Sequence, residues 1–509
     1  MTKTARRIRV NQIGYPTDAE KIAIFLDEGP FEVVDAATGK AVWHGMASGG
    51  RLDEASGLIA AAGDFSPVTA TGRYCLRHVA TGERSAEFAI APSPYESVQR
   101  GLLKAFYYFR CGTALTEPFA GPWTHDACHL ADGIVWGEAG RCLDGSGGWH
   151  DAGDYGKYTV PAAKAVADLL LAFECYPDAF RRPLPLPETD GAMPDVLHEC
   201  RWELVFLLKM QDPVSGGAFH KLTTKRFPPL DRKAEDDLDE LYFMPVSPTA
   251  TGDFAAVMAM AARAYRPFDA AFADRCLAAA LRAWEWLAAH PDAANFKNPP
   301  GVATGEYGDA CSDDERYWAA AELYRTTGEA RFHDEAVRLF ALPFSKTELG
   351  WADVGGYGTI ALLLQDEGRV AAGLRASLLD AWKKRADQLA ARADKDGFRV
   401  TLARDDYIWG SNMLAMNNAM HLLIARRLFG DPVYERTALD QVHYLLGRNA
   451  PDVSYVTGFG DRSVRDPHYR PGVADGVDEP VPGFVAGGPN ANLQDDIARS
   501  RLAGKPPAL

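Results

Sequence analysis

The chain has 509 residues, 47% hydrophobic and 24% charged; this excludes a disordered or fibrous protein and suits two or more domains, unless a helical barrel takes up most of the length. A formal net charge of −15, with no offsetting basic stripe, would repel a phosphate backbone, so no nucleic-acid partner is expected. Without a run of roughly 18 apolar residues no membrane span is expected either, and a neutral substrate such as a sugar suits the charge.

The first residues, MTKTARRIRVNQIGY, are basic without an apolar segment behind them. No signal peptide is legible there, so the expected location is cytoplasmic, or secreted if a leader was removed. Up to residue 92, short β-rich runs (RIRVNQIGY, KIAIFLD, FEVVDAATGKAVWHG, GRYCLRHV, SAEFAIAP) alternate with turn signals such as ATGK and ATGE, which predicts a small β-sandwich over 1–92. APSPYES then reads as a linker, and helical periodicity takes over from about 97 to 509. Helices are expected near 98–110, 161–176, 194–211, 250–266, 269–290, 312–327, 330–341, 354–366, 370–392, 410–429 and 432–446, with almost no strand signal between them. Long Gly/Pro-rich loops at 112–160, 213–249, 291–311 and 448–509 are of the length that usually carries function. Paired helices with such loops suggest a closed ring of helical hairpins, an α/α barrel. The eight cysteines are sparse for this length, and Cys175, Cys200 and Cys276 read as buried free thiols.

The loop GGWHDAGDYGKYTVPAA, residues 147–163, sets Asp151 and Asp154 three residues apart, so on a helix-like turn both point to one side and can grip one water. If Asp154 also precedes the helix near Pro161, amide donors would keep it ionised, as a general base must be. DAGD is equally good turn chemistry, and on these residues alone that plainer reading stands beside the catalytic one.

GGWHDAGDYGKY resembles the catalytic aspartate motif of glycoside hydrolase family 9, whose members are mostly cellulases. VNQIGYP resembles the start of the immunoglobulin-like domain that often precedes that catalytic domain, and SYVTGFGDRSVRDPHYR, residues 454–470, resembles the family's histidine signature. The resemblance implies an N-terminal all-β immunoglobulin-like sandwich followed by an all-α (α/α)6 barrel of twelve helices, and inverting hydrolysis of β-1,4-glucosidic bonds in cellulose, cellodextrins or related β-glucans. Asp154 would be the general base and Asp151 would help hold the attacking water, while His468 and Arg470 would bind sugar hydroxyls where the bond breaks. An exo-acting cellodextrinase or a glucosaminidase of the same family is the alternative enzyme. The family's general acid is a Glu just after the GGPN region. This sequence reaches GFVAGGPNANLQDD and ends at GKPPAL, with Glu479 its last glutamate, so the expectation is a barrel lacking its last helix here, the rival being a non-catalytic glycan-binding protein.

Two metal sites are candidates. Cys111, Cys128, His129 and His150 supply the ligand types of a structural zinc site, though not at finger spacing, and free cysteines with surface histidines are the other reading. The resemblance adds a family zinc site of Cys, Cys-His and His in that loop, which here would support the catalytic loop rather than take part in chemistry. In GDACSDDERYWAAAELY, Asp309, Asp313, Asp314 and Glu315 gather hard oxygen ligands at a helix start, where acidic residues are also simply favourable. The resemblance implies calcium at the pair Asp314 and Glu315, joined by Asp353. Trp351 and Trp409, in Gly-rich contexts, are candidates to pack on sugar faces. His220 and Lys221, in GGAFHKLTT, fall in a loop resembling a family substrate segment. The expected partner is thus a β-glucan or cello-oligosaccharide, with a monomer as the working expectation.

Overall fold

The structure is a computed structural model that describes residues 5–509. The N-terminal part is an eight-stranded sheet, β1 (Ile8–Arg9), β2 (Gly14–Pro16), β3 (Ile22–Phe25), β4 (Gly29–Asp35), β5 (Ala41–Leu52), β6 (Ile59–Asp64), β7 (Gly72–His78) and β8 (Phe88–Ala91), hydrogen-bonded in the order β1-β3-β6-β5-β4-β7-β8-β2. Ile8 and Tyr15, from its opposite ends, share one core with Phe25, Phe31, Val33, Leu76, Phe88 and Ile90, so the sheet is folded over on itself. Alternation along β4 sends Phe31 and Val33 inward, while Glu32 pairs across the strands with Arg77, 2.8 Å from its Nε. At the ATGK turn, the Asp35 carboxylate accepts the Thr38 amide proton at 2.7 Å, closing the β4–β5 hairpin.

The helices in chain order are α1 (Glu96–Tyr108), α2 (Glu117–Ala120), α3 (Thr159–Cys175), α4 (Asp195–Met210), α5 (Pro248–Tyr265), α6 (Ala270–Ala289), α7 (Asp313–Thr327), α8 (Ala330–Phe340), α9 (Gly355–Leu363), α10 (Ala372–Lys395), α11 (Ser411–Phe429), α12 (Pro432–Leu445), α13 (Arg470–Ala474) and α14 (Asp496–Leu502). All eleven expected helices are present. Their ends are chemically marked: Asp269 and Asp431 cap α6 and α12 by accepting backbone amides, and Gly328 and Gly430 close α7 and α11 in left-handed conformation. By packing, the chain falls into two compact units, one of residues up to Leu102 with 382–467 and 479–509, the other of 103–381 with 468–478.

In the first unit the VNQIGY motif ties the sheet to α12. The Asn11 side chain accepts the amides of Ile13 and Gly14 and meets His443 Nδ1 at 3.0 Å, and the Tyr15 ring lies 4.7 Å from the His443 ring. Gln12 Nε2 donates to the Asp452 carbonyl at 3.1 Å. These contacts need Asn and Gln at those positions, which is why the motif stands out in the sequence.

The second unit holds what the sequence reading did not foresee: a five-stranded sheet built from the long loops. Strands β9 (Gly133–Val135), β10 (Cys142–Leu143), β11 (Lys157–Tyr158), β12 (Lys221–Thr223) and β13 (Tyr242–Phe243) pair in the order β10-β9-β13-β12-β11. Strands of two or three residues are too short to show a period of two. β11 leads straight into α3, and its neighbour β12 carries Lys221, so this small sheet brings the aspartate loop and the GGAFHKLTT loop together. Beneath them α5, built almost wholly of small and apolar residues, is buried along its length against α3, α6 and α7.

Candidate active site

The aspartate loop is held open by glycines and anchored by a tryptophan. Gly148 has φ +77°, and a side chain there would run into the Phe206 ring. Trp149 Nε1 donates to Glu199 Oε1 at 2.9 Å, and its backbone amide donates to Glu203 Oε2 at 2.5 Å. The Asp151 amide donates to the Gly156 carbonyl at 2.9 Å, closing a turn that holds Asp151 and Asp154 together. Asp154 Oδ2 accepts the Gly156 amide at 3.0 Å and the Tyr158 hydroxyl at 3.1 Å. Its donors therefore come from β11 and the residue before it rather than from the α3 terminus.

The two carboxylates are electrostatically unequal. Asp151 is pushed up to about 7, chiefly by lost hydration and then by the Asp154 charge, against a single donor, Tyr307, whose hydroxyl reaches Oδ2 at 2.6 Å. Asp154 is also raised by lost hydration, but Gly156, Tyr158 and the Arg470 charge oppose the rise. With two hydrogen-bond donors on Asp154 and one on Asp151, hydrogen bonding favours the anion on Asp154.

Sequence reasoning missed Tyr307, and its only signal was a tyrosine in the glycine-rich GEYGDA. It has φ +45°, strained for a non-glycine residue, and its ring packs between those of Tyr158 (4.9 Å) and Trp351 (5.1 Å). The segment that delivers it hangs on Lys221, whose Nζ donates to Asn298 Oδ1 at 2.7 Å, Thr304 Oγ1 at 3.0 Å and the Gly305 carbonyl at 2.6 Å. His220 is fully buried, stacked on Phe296 at 3.9 Å, and lowered to about 3 by burial. Neutral, it donates from Nε2 to the Glu306 carbonyl (2.9 Å) and accepts at Nδ1 from Ser247 (2.8 Å). No nitrogen is left for a sugar, so the expected substrate contact at His220 is replaced by a support beneath Tyr307. Tyr307→Phe removes the one donor that favours the ionised form of Asp151; the acid limb of kcat/KM is expected to move to higher pH, with activity lost most below neutrality. A pH–rate profile that superimposes on wild type would refute the coupling.

The histidine signature reaches the same loop. His468 is exposed, and a Cβ at Gly153 would land on its backbone carbonyl and ring, so only glycine lets the two segments touch. Arg470 is buried, and its Nη1 and Nε donate to the carbonyls of Gly153 (2.6 Å) and Pro228 (3.0 Å). Those bonds commit two of its five N–H donors to the backbone. Trp351 is half-buried against Tyr307; Trp409, 66% exposed, precedes α11 in the first unit.

Cys111, Cys128, His129 and His150 place one donor atom each within 4.8 Å of one another, all buried. The His129 Nδ1 is buried without a hydrogen-bond partner, while its Nε2 meets Asp237 Oδ2 at 3.2 Å. An orphaned nitrogen facing two thiols, oriented from behind by a carboxylate, is the donor arrangement of a soft tetrahedral site. The acidic group is of another kind. Asp314 Oδ2 accepts the Val354 amide at 2.9 Å, but one oxygen each of Asp309 and Glu315 is buried without a partner, and so are both oxygens of Asp253. Asp253 and Glu315 are held well above the carboxylate range, and Asp314 is raised to about 6, mainly by lost hydration. Asp353 is exposed, and its charge raises Asp309 further. Asp253 was not anticipated, although an aspartate inside the small, apolar run TATGDFAAVMAMAA is itself anomalous.

Paired carboxylates on a glycine-rich loop, walled by tyrosine and tryptophan rings, thus lie in a helical domain that follows a folded-over sheet. The glycosyl hydrolase family 9 model matches residues 95–501, and the cellulase N-terminal ig-like domain model matches residues 3–83. The chain belongs to glycoside hydrolase family 9, with an N-terminal immunoglobulin-like domain. It is 37% identical to a cellodextrinase of Butyrivibrio fibrisolvens, over 99% of this chain and 94% of that one. With a xyloglucan-specific endo-β-1,4-glucanase of Bacteroides ovatus it shares 35%, over 96% of this chain and 86% of that protein. A crystal structure of a single mutant of the thermostable endoglucanase from Alicyclobacillus acidocaldarius superimposes with a TM-score of 0.93 at 43% identity, covering 99% of this chain and 94% of that chain.

Proposed function

We propose that the protein hydrolyses β-1,4-glucosidic bonds of cello-oligosaccharides, cellulose or related β-glucans by a single displacement that inverts the anomeric centre. The observation that carries this reading is the asymmetry of the donors around the pair, two reaching Asp154 (the Gly156 amide and the Tyr158 hydroxyl) and one, Tyr307, reaching Asp151. Asp154, the better solvated by donors, takes a proton from a water that the second carboxylate, Asp151, also holds. As the water adds to the anomeric carbon the glycosidic C–O bond breaks, and the leaving oxygen takes its proton from a carboxylic acid standing roughly 6.5–9.5 Å from the base in inverting enzymes; no residue up to Leu509 is assigned that role. Proton NMR of the first products from a β-linked substrate should show the α-anomer; β-anomer from the first turnover would overturn the mechanism. The 37% identity to a cellodextrinase favours a second reading, exo-action on short chains, in which cellotetraose would be shortened from one end only and a soluble long-chain cellulose would lose viscosity slowly.

Two metals belong to the proposal. Zinc would be held by Cys111, Cys128, His129 and His150 as a structural clamp beside Asp151, and calcium by Asp314 and Glu315 with Asp253 and Asp309, whose unpartnered buried oxygens suit it better than the exposed Asp353 first expected there. Neither is assigned a step in the reaction.

A further inference from the structure

Arg470 is buried, and its side-chain bonds to the Gly153 and Pro228 carbonyls make it a bridge between the aspartate loop and the segment 226–232. The same segment is tied again at its other end, where the Tyr155 hydroxyl donates to the Arg232 carbonyl at 2.6 Å. Both ties come from residues touching or adjoining the catalytic motif, one at Gly153 and one at Tyr155, on either side of Asp154. Just before the first tie stands Phe227, its ring centroid 5.7 Å from the Arg470 guanidinium carbon, yet 45% exposed. With the guanidinium over one face of the ring, the other face is left for a ligand to cover. What a half-exposed aromatic face takes best is a flat apolar surface with polar edges, and a β-linked pyranose presents its axial C–H groups in that form.

We propose that Phe227 is a sugar-stacking platform, receiving a pyranose ring of the β-glucan next to the bond that Asp154 attacks, and that Arg470 serves as its positioning residue. The proposal rests on the hydrolase reading and assigns Arg470 a role through Phe227 rather than through sugar hydroxyls.

The test uses the full-length protein with its metals, and compares Phe227→Ala, Phe227→Leu and Phe227→Tyr on cellotetraose. Leu keeps an apolar cover on Arg470 but offers no ring, so it separates stacking from mere shielding. A platform predicts KM raised roughly 3- to 10-fold in both Ala and Leu, the scale of one aromatic contact, with kcat held within about twofold, the Leu variant melting like wild type, and Tyr restoring the KM. A Leu variant with wild-type KM overturns the platform and leaves Phe227 a cover for Arg470. An equal loss of kcat and stability in all three variants overturns it too, since that is the signature of a loosened loop. Wild-type protein that neither binds nor cleaves cellotetraose overturns the hydrolase reading itself, an outcome distinct from both.

Discussion

Asp154→Asn is expected to lower kcat by about 10² to 10⁴, the contribution of a positioned general base, while leaving the protein at least as stable at neutral pH. The two halves of this expectation have different physical origins, which makes the pair more informative than the rate alone. Asparagine keeps an oxygen where the Gly156 amide and the Tyr158 hydroxyl donate, so the loop keeps its bonds, but an amide cannot take a proton from water. The carboxylate, for its part, is a burden on folding. Its pKa in the folded protein lies above the ordinary value because hydration is lost. The folded state therefore holds the proton more tightly than the unfolded chain; stability is full below the unfolded pKa and is lost as pH rises through the folded one. Above that window wild type carries a desolvated charge that the Asn variant lacks. Thermal unfolding at neutral pH should accordingly show no loss in the variant, and the comparison should become less favourable to it in acid. A variant that loses activity and also melts well below wild type at neutral pH would assign Asp154 to the scaffold. The same logic is stronger for Asp151, whose window runs from the ordinary carboxylate range to about 7.

Much of the fold was legible because it is written in long periodic segments. In α4 Leu197, Leu204 and Leu208 repeat at helix spacing, the first two fully buried and Leu208 partly, and α6 begins at an aspartate cap, so their limits could be read within a residue or two. The sheet of β9–β13 was not legible, since its pairs are made between residues as distant as Ile134 and Tyr242, and no local pattern announces a non-local pairing. The candidate site divides in the same way. Asp151 and Asp154 stood out by motif. Tyr307, Lys221 and Asp253 reach their places only when segments far apart in the chain meet, and their chemistry depends on burial, which the sequence alone does not display. The reading of His220 as a sugar contact failed for the same cause: the residue type suits sugar binding, but its one N–H is spent on the Glu306 carbonyl.

Replacing Cys111 or Cys128 by serine is expected to abolish zinc stoichiometry and lower the melting temperature by on the order of 10 °C, because binding energy at a structural zinc site is folding energy. The placement of the donors explains why the effect should reach the catalytic loop. The Cys111 amide donates to the Gly148 carbonyl at 2.7 Å, and the His150 amide to the Phe109 carbonyl at 2.8 Å, so two of the four donors sit on the strand-like contact that carries Gly148 and Trp149 toward Asp151. His150 immediately precedes Asp151, and its ring lies 4.9 Å from that of Tyr155, which follows Asp154. A metal on His150 therefore fixes both flanks of the carboxylate pair without touching either oxygen. Loss of the metal should lower kcat more than it raises KM for cellotetraose, since the base is misplaced while most sugar contacts persist. Serine is the right substitution because it nearly matches cysteine in size, so a packing defect alone would be small. Elemental analysis, calorimetry and kinetics on the same preparations provide the check. Zinc retained at one equivalent in both variants, or wild-type protein that contains none and is unaffected by a strong zinc chelator, would remove the clamp. A calcium-selective chelator offers a separate control: by exposing the mutual repulsion of Asp253, Asp314 and Glu315 it should destabilise the α5–α7 contact at neutral pH, and less so in acid, where those carboxyls take up protons.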